Sequence, residues 1–275
     1  MEDYPRTLVE LEARFNSEQA CRDYLFRLRW PEGFRCPRCG GAKAGPLDWV
    51  GWRCANCARP VSVTAGTIFQ DTHTPLTIGF RAMWWVVAQK NGVSALGVQR
   101  VLGLGSYQTA WAWLHKRRRA MVRPGRDRLT GAGEVDETYL GGWEEGMRGR
   151  QTEKKGLIVG AAPERGRGIG RIRRRRIADA SAASVVPFVH DSVEPGRVVH
   201  PDGWLGYEPL PRKGYRHRIT VLRGQEKSPS DRLPHVHRVI SLWKRWRLGT
   251  HQGAVRLEHL DYLICAVYSW LPPTS

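Results

Sequence analysis

Several things are scarce in this chain. Cysteine is one: six residues in 275 do not make the disulfide framework of a small secreted domain. Acid is another, with 26 Asp and Glu against 44 Lys and Arg, a formal charge of +18. A surplus of that size favours a polyanionic partner, either a nucleic acid or a membrane surface. No apolar run approaches the ~20 residues of a transmembrane helix. No signal-peptide pattern opens the sequence either, so a cytoplasmic protein without a membrane partner is expected. Internal repeats are missing, and the one biased run is Arg173–Arg176.

What is present belongs to folded domains. A hydrophobic fraction of 41% supports a proper core, and twelve tryptophans argue against a disordered basic tail. The usual domain size suggests one larger domain of roughly 140 residues behind smaller N-terminal modules. Residues 7–30 carry Leu8, Leu11, Phe15, Tyr24, Leu25 and Leu28 near helical spacing. Asn16-Ser17 breaks that stretch and caps a second helix from Glu18.

Four cysteines fall into two pairs, Cys36-Pro37-Arg38-Cys39 and, fourteen residues on, Cys54-Ala55-Asn56-Cys57. Each pair can hold two thiolates on one tight turn, and four thiolates close a tetrahedral zinc shell with no position left for a substrate water. The site is therefore structural, and the ribbon around it can dock either DNA or protein. A redox role fails because neither pair opens a βαβ helix. Cys21 and Cys265 stand alone and suit helix interfaces.

Thr74–Lys90 is an apolar helix with Thr74-Pro75 at its start and Asn91-Gly92 at its end, and its Trp84-Trp85 pair suits a core. Ser94–Leu102 and Ser106–Arg119 have the proportions of a helix-turn-helix about Gly103 and Gly105. Tyr107, Trp111, Leu114 and Arg118 share one expected face of the second helix; Gln108, Thr109 and Lys116 lie elsewhere. The helix ends in Lys116-Arg117-Arg118-Arg119, which complements its C-terminal dipole. An ordinary helical hairpin would share these features, but the basic tail and overall charge favour DNA contact through Gln108, Thr109, Lys116, Arg117, Arg118 and Arg119.

After a linker at 125–132 the pattern becomes strands alternating with helices. Gly133–Gly142 reads as a buried strand carrying Glu134, Asp136 and Glu137 where apolar residues are wanted. Val198–Trp204 is a second apolar run, ending in Asp202 at a glycine turn. Two strand-borne aspartates in so basic a chain suggest a metal site working on phosphate. Between them lie strands at Gly156–Ala162 and Arg171–Ala178, a helix at Ser184–His190 and a strand at Arg197–His200. Three antiparallel strands, a helix and a further strand form the core of an RNase H-like fold. Arg173, Arg174, Arg175 and Arg176 are expected to face phosphate beside that sheet.

Together Cys-Pro-x-Cys-Gly, the second Cys-x-x-Cys, Leu-Gly-Leu-Gly-Ser-Tyr-Gln-Thr-Ala-Trp, Glu-Val-Asp-Glu-Thr-Tyr-Leu-Gly-Gly and Asp-Gly-Trp-x-x-Tyr resemble bacterial insertion-sequence transposases of the zinc-ribbon, ISXO-like family, over about residues 7–265. The resemblance implies an α+β, RNase H-like mixed sheet flanked by helices, with a DDE-type site. Asp136 matches its first aspartate and Asp202 its second. The third position, on a helix about 34 residues later, holds His237, with Ile240 where many relatives carry glutamate. Lys244 fits a basic residue two helical turns on, and the ending from Leu263 departs from the family's pattern. Histidine can still ligate a metal through a neutral ring nitrogen. Glu134 and Glu137 are assigned to the strand face opposite Asp136, as support.

The implied activity is transposition. Mg²⁺ or Mn²⁺ held by Asp136, Asp202 and His237 serves strand cleavage and then attack of a freed 3′-hydroxyl on target DNA, beside a structural Zn²⁺ on the cysteines. The implied partners are the terminal inverted repeats, target DNA and a second copy of the chain, in the nucleoid. The rivals are a decayed relic that only binds DNA and a metal-dependent nuclease without strand transfer. The expected segments are 1–33 (helical), 34–66 (zinc ribbon), 67–124 (helix-turn-helix region), 125–132 (linker) and 133–275 (catalytic).

Overall fold

The structure is a computed structural model that describes residues 4–47, 51–89, 92–122, 125–141, 155–165, 168–169, 171–220, 229–251 and 257–264. Cys265 and the ending after Ile264 lie outside the described residues. Its contacts form two units, residues 1–89 with 95–117, and residues 90–94 with 118–275.

In the first unit, α1 (Leu8–Arg14) and α2 (Glu18–Arg29) meet at the expected break, and Ser17 Oγ accepts the Ala20 N–H at 3.2 Å as the N-cap of α2. Strands β1 (Ala44–Leu47), β2 (Gly51–Cys54) and β3 (Pro60–Val61) pair antiparallel in that order. Helix α3 (Leu76–Ala88) has Pro75 at its N-cap position, which offers no capping side chain. Its cap comes instead from α2: Glu18 accepts the N–H groups of Leu76 at 3.0 Å and Thr77 at 2.9 Å. Leu11, Phe15, Cys21, Leu25, Phe69 and Phe80 form the core between these elements. Helices α4 (Ala95–Leu102) and α5 (Tyr107–Ala120) follow in the expected helix-turn-helix proportions. The buried stripe of α5 differs from expectation, for Ala110, Trp113, Leu114 and Arg117 face inward while Tyr107 is exposed. That set follows the i, i+3, i+4, i+7 rule more closely than one anchored on Tyr107.

The second unit is built on one mixed sheet. β4 (Gly133–Leu140) pairs antiparallel with β5 (Gly156–Arg165), which pairs antiparallel with β7 (Arg173–Ile177) and, at its end, with β6 (Gly168–Ile169). Helix α6 (Ala182–Ser192) leads to β8 (Val198–Pro201), which lies parallel to β4, and β9 (Arg216–His217) lies parallel to β8. Helices α7 (Pro229–Arg232), α8 (Pro234–His251) and α9 (Leu260–Ile264) complete the chain order. Antiparallel β4, β5 and β7, with parallel β8 and β9 added on the other side of β4, give the RNase H-like sheet.

Alternation along the strands divides the core into two layers. Val135, Leu157, Val159 and Val199 pack with Val185, Phe188 and Val189 of α6. Leu140, Ile158, Ala162 and Ile172 pack with Val236, Ile240, Trp243 and Trp246 of α8. β8 runs parallel to β4 and ends level with its middle, Pro201 opposite Val135, so Asp202 just past β8 falls beside Asp136 on β4.

Candidate active site and zinc site

The four ribbon cysteines converge as the spacing requires. Cys36 Sγ lies 3.7 Å from Cys57 Sγ and Cys39 Sγ lies 3.6 Å from Cys54 Sγ, and all four sulfurs fall within 4.8 Å of one another. A tetrahedral ion with Zn–S bonds of about 2.3 Å would separate its sulfurs by about 3.8 Å. The two turns are built alike: Gly40 N–H donates to Cys36 O, Ala58 N–H donates to Cys54 O, and Gly40 and Ala58 take left-handed φ values of 72° and 55°. Backbone N–H groups of Cys39 and Arg38 hold the Cys36 thiol down to about 6. The donor set and its dimensions fit a structural zinc.

The second site forms where β8 ends beside the middle of β4. Asp136 is 9% exposed on β4, Asp202 immediately follows β8, and His237 comes from the first turn of α8. His237 Nε2 lies 3.6 Å from Asp136 Oδ2 and has no hydrogen-bond partner. Burial pushes the Asp136 carboxyl up to about 8, with the nearby charges of Glu137 and Asp202 adding to it, against a hydrogen bond from the Glu137 N–H and the charge of Lys244. Burial likewise holds His237 below its usual range, against the pull of Glu134. Asp202 Oδ1 accepts the Trp204 N–H at 3.1 Å, which folds its side chain over the following turn. Among the described residues only the cysteines bring three or more ligand atoms within 4.8 Å of each other, so Asp202 stands further from the Asp136–His237 pair. An orphaned imidazole nitrogen beside a crowded, buried carboxylate is a donor set that fits a divalent cation.

The ISXO2-like transposase domain matches residues 128–269, and the transposase zinc-ribbon domain matches residues 16–60. The first alone covers more than half of the chain. This protein belongs to the ISXO2-like transposase family. No curated protein matches it.

The acids flanking Asp136 in this transposase do not share a role, and the expectation that both face away from it is corrected. Positions two apart share a strand face, so Glu134 stands beside Asp136 on the α8 face. Its Oε2 accepts the Val236 N–H at 2.8 Å and its Oε1 meets His235 Nδ1 at 2.7 Å. Glu137 alone faces the α6 side, where Tyr207 donates its hydroxyl to Glu137 Oε2 at 2.8 Å.

A second polar group on the site's face carries no signal in the sequence. His200 of β8 is registered against Glu134 and is 7% exposed. Its Nδ1 lies 2.9 Å from Glu164 Oε1 and its Nε2 lies 2.5 Å from Thr220 Oγ1. Arg218 also binds Glu164. These contacts tie β5, β8 and the β9 segment together one row behind the aspartates.

The basic residues divide sharply. Arg117 and Arg118 are buried rather than presented to solvent. Arg117 donates to Trp113 O and Gly79 O and stacks 4.5 Å from the Trp113 ring; Arg118 donates to Val93 O and stacks 5.2 Å from Trp246. Burial lowers both guanidiniums to about 10. Arg173 and Arg174 are interior too. Arg173 donates to Ile172 O and Asp127 O, and Arg174 donates to Ile264 O at 2.5 Å above the Trp243 ring. These four act as fasteners within the protein and offer no free face to phosphate. Gln108, Lys116, Arg119, Arg175 and Arg176 are exposed and Thr109 is partly so. Lys116 reaches Gln70 O, Gln108 accepts the Ser106 hydroxyl, and Arg175 pairs with Asp191 at 2.9 Å. Lys244 is exposed on α8, two turns beyond His237.

Proposed function

We propose that this transposase cuts the ends of its insertion sequence and joins them to target DNA at the site formed by Asp136, Asp202 and His237. One observation carries the proposal: His237 Nε2, buried and without a hydrogen-bond partner, is aimed at Asp136 Oδ2 from 3.6 Å. Asp136 and His237 would hold a Mg²⁺ or Mn²⁺ ion, with Asp202 closing on it from β8. Bound there, the ion supplies Lewis-acid stabilisation of the phosphodiester and a more acidic water or 3′-hydroxyl. Lys244, whose charge reaches Asp136, balances the carboxylates and faces incoming phosphate. The zinc ribbon and the α4–α5 pair bind the terminal inverted repeats, with exposed Gln108, Thr109, Lys116 and Arg119 as contacts. The segments 1–33, 34–66, 67–124, 125–132 and 133–275, assembly as a dimer or larger on DNA, and work in the nucleoid belong to the same proposal.

Cleavage and plasmid integration with repeat-end DNA test it. Asp136→Asn should bind the DNA and cut nothing. Imidazole suits Mn²⁺ better than Mg²⁺, so the parent should prefer Mn²⁺. His237→Ala should lose cleavage and His237→Glu should recover it with Mg²⁺. Cleavage by His237→Ala at the parent's rate would remove this residue from the site, and cleavage without integration would make the protein a nuclease.

A further inference from the structure

Glu134 is an unusual residue to find where it is. It is a carboxylate 2% exposed on the central strand, and an acid there is expensive unless both oxygens are used. Both are used, and by one element: Oε2 takes the Val236 N–H and Oε1 takes His235 Nδ1. These groups stand at the start of α8, where backbone N–H groups have no partner within the helix. Pro234 removes one such donor, His237 N–H reaches back to Leu233 O, and Val236 N–H is left for Glu134. A negative charge there also complements the helix dipole. Glu134 is thus an N-cap for α8 supplied from a strand about a hundred positions earlier.

The capped residue directly precedes His237. A helix fixed at Val236 is fixed in rotation and height at His237, and Asp136 sits two residues from Glu134 on the same face. One strand therefore carries both a donor of the site and the clamp that sets the distance to the opposing donor. We infer that Glu134 is a positioning residue that sets how His237 meets Asp136, and so governs the divalent-cation affinity of the site. This rests on the proposed reading of Asp136 and His237 as ligands.

Shortening the side chain separates clamp from charge. Glu134→Asp keeps the charge but draws the carboxylate back by about 1.5 Å, one C–C bond, which takes it out of hydrogen-bond range of Val236. Glu134→Gln keeps the length and an acceptor oxygen. The measurement is Mn²⁺ affinity of the zinc-loaded, DNA-free full chain by titration calorimetry, with melting temperature followed in parallel. Outer partners of metal ligands are typically worth about 10–100-fold in affinity, so Glu134→Asp should weaken Mn²⁺ about tenfold while Glu134→Gln stays within about threefold. In a His237→Ala background Glu134→Asp should add less than about twofold, since the clamp then has nothing to place. A merely structural role would lower melting temperature and leave affinity alone.

Unchanged affinity in Glu134→Asp, or equal losses with and without His237, would overturn the inference. A parent that binds Mn²⁺ no better than Asp136→Asn would instead overturn the site and the inference with it. Should Glu134→Asp be too unstable to purify, Glu134→Gln and His235→Ala carry the test. The amide should hold the affinity and loss of His235 should lower it, and equal affinities would decide against the clamp.

Discussion

Glu18, the first residue of α2, caps the start of α3 by accepting the N–H groups of both Leu76 and Thr77 and the Thr77 hydroxyl. Pro75 can supply no such cap, so the helix that follows depends on a carboxylate nearly sixty positions away. Glu18→Ala leaves two helix-end donors unmatched and should cost the first unit about 1–2 kcal/mol. Glu18→Gln should recover part of it. Denaturant unfolding followed through tryptophan fluorescence checks this, and an Ala variant as stable as the parent would show the cap to be idle.

Zinc should be present at one ion per chain. Structural zinc contributes roughly 10–16 kcal/mol of apparent binding energy in small domains at neutral pH. Cys54→Ser should abolish the bound zinc and open the ribbon to protease, while the sheet of the second unit stays protected. Metal analysis of freshly purified protein without zinc would refute the site.

The split among the arginines gives opposite expectations for neighbours in the sequence. Arg119→Ala should reduce the slope of log affinity against log salt by about 0.9, one phosphate contact, and leave stability unchanged. Arg117→Ala and Arg174→Ala should do the reverse, leaving buried carbonyls and aromatic rings without their partners at about 1–3 kcal/mol each. Paired salt titrations and melts distinguish the two kinds of residue.

His251 should make the second unit acid-sensitive. Burial and the charges of Arg118 and Arg247 push its pKa down to about 4. Above pH 6.5 it is neutral folded or unfolded and contributes no slope. Below that, the unfolded chain takes a proton that the folded one refuses, so stability falls as pH drops from 6.5 to about 4, by about 1–2 kcal/mol once the screening of a part-exposed ring is allowed for. His251→Phe keeps the ring contact with Trp246 and should remove this part of the slope. Stability curves of parent and variant that run parallel from pH 7 to 4 would contradict it.

The ribbon, the strand-borne aspartates and the order of elements were legible because each depends on short-range spacing. Cys-x-x-Cys encodes a turn, and alternation encodes a strand with a buried face. Arg117, Arg118, Arg173 and Arg174 depart from expectation because composition reports charge and not surroundings: what buries Arg174 is Trp243 beneath it and the Ile264 carbonyl ninety positions on. Glu134 is support, as its spacing suggests, but on the other strand face. Its strand face follows from simple alternation, but its partner is a helix start with no trace in the sequence near it. His237 was reachable only through the family's spacing, since a lone histidine on an amphipathic helix carries no signal of its own.

Sequence distance also sets an order in which the zinc site and the proposed divalent-cation site can form. The ribbon's thiols lie within 22 consecutive residues, Cys36 to Cys57, whereas Asp136 and His237 are 101 positions apart. Joining the longer loop costs only about 1.4 kcal/mol more in chain entropy, but it must wait for the later residues to exist. During synthesis the ribbon can close while α8 has yet to be made, and β4 then holds Asp136 and Glu134 with neither partner in reach. A nascent chain therefore passes through a stage able to hold zinc and unable to hold the divalent cation proposed at Asp136 and His237.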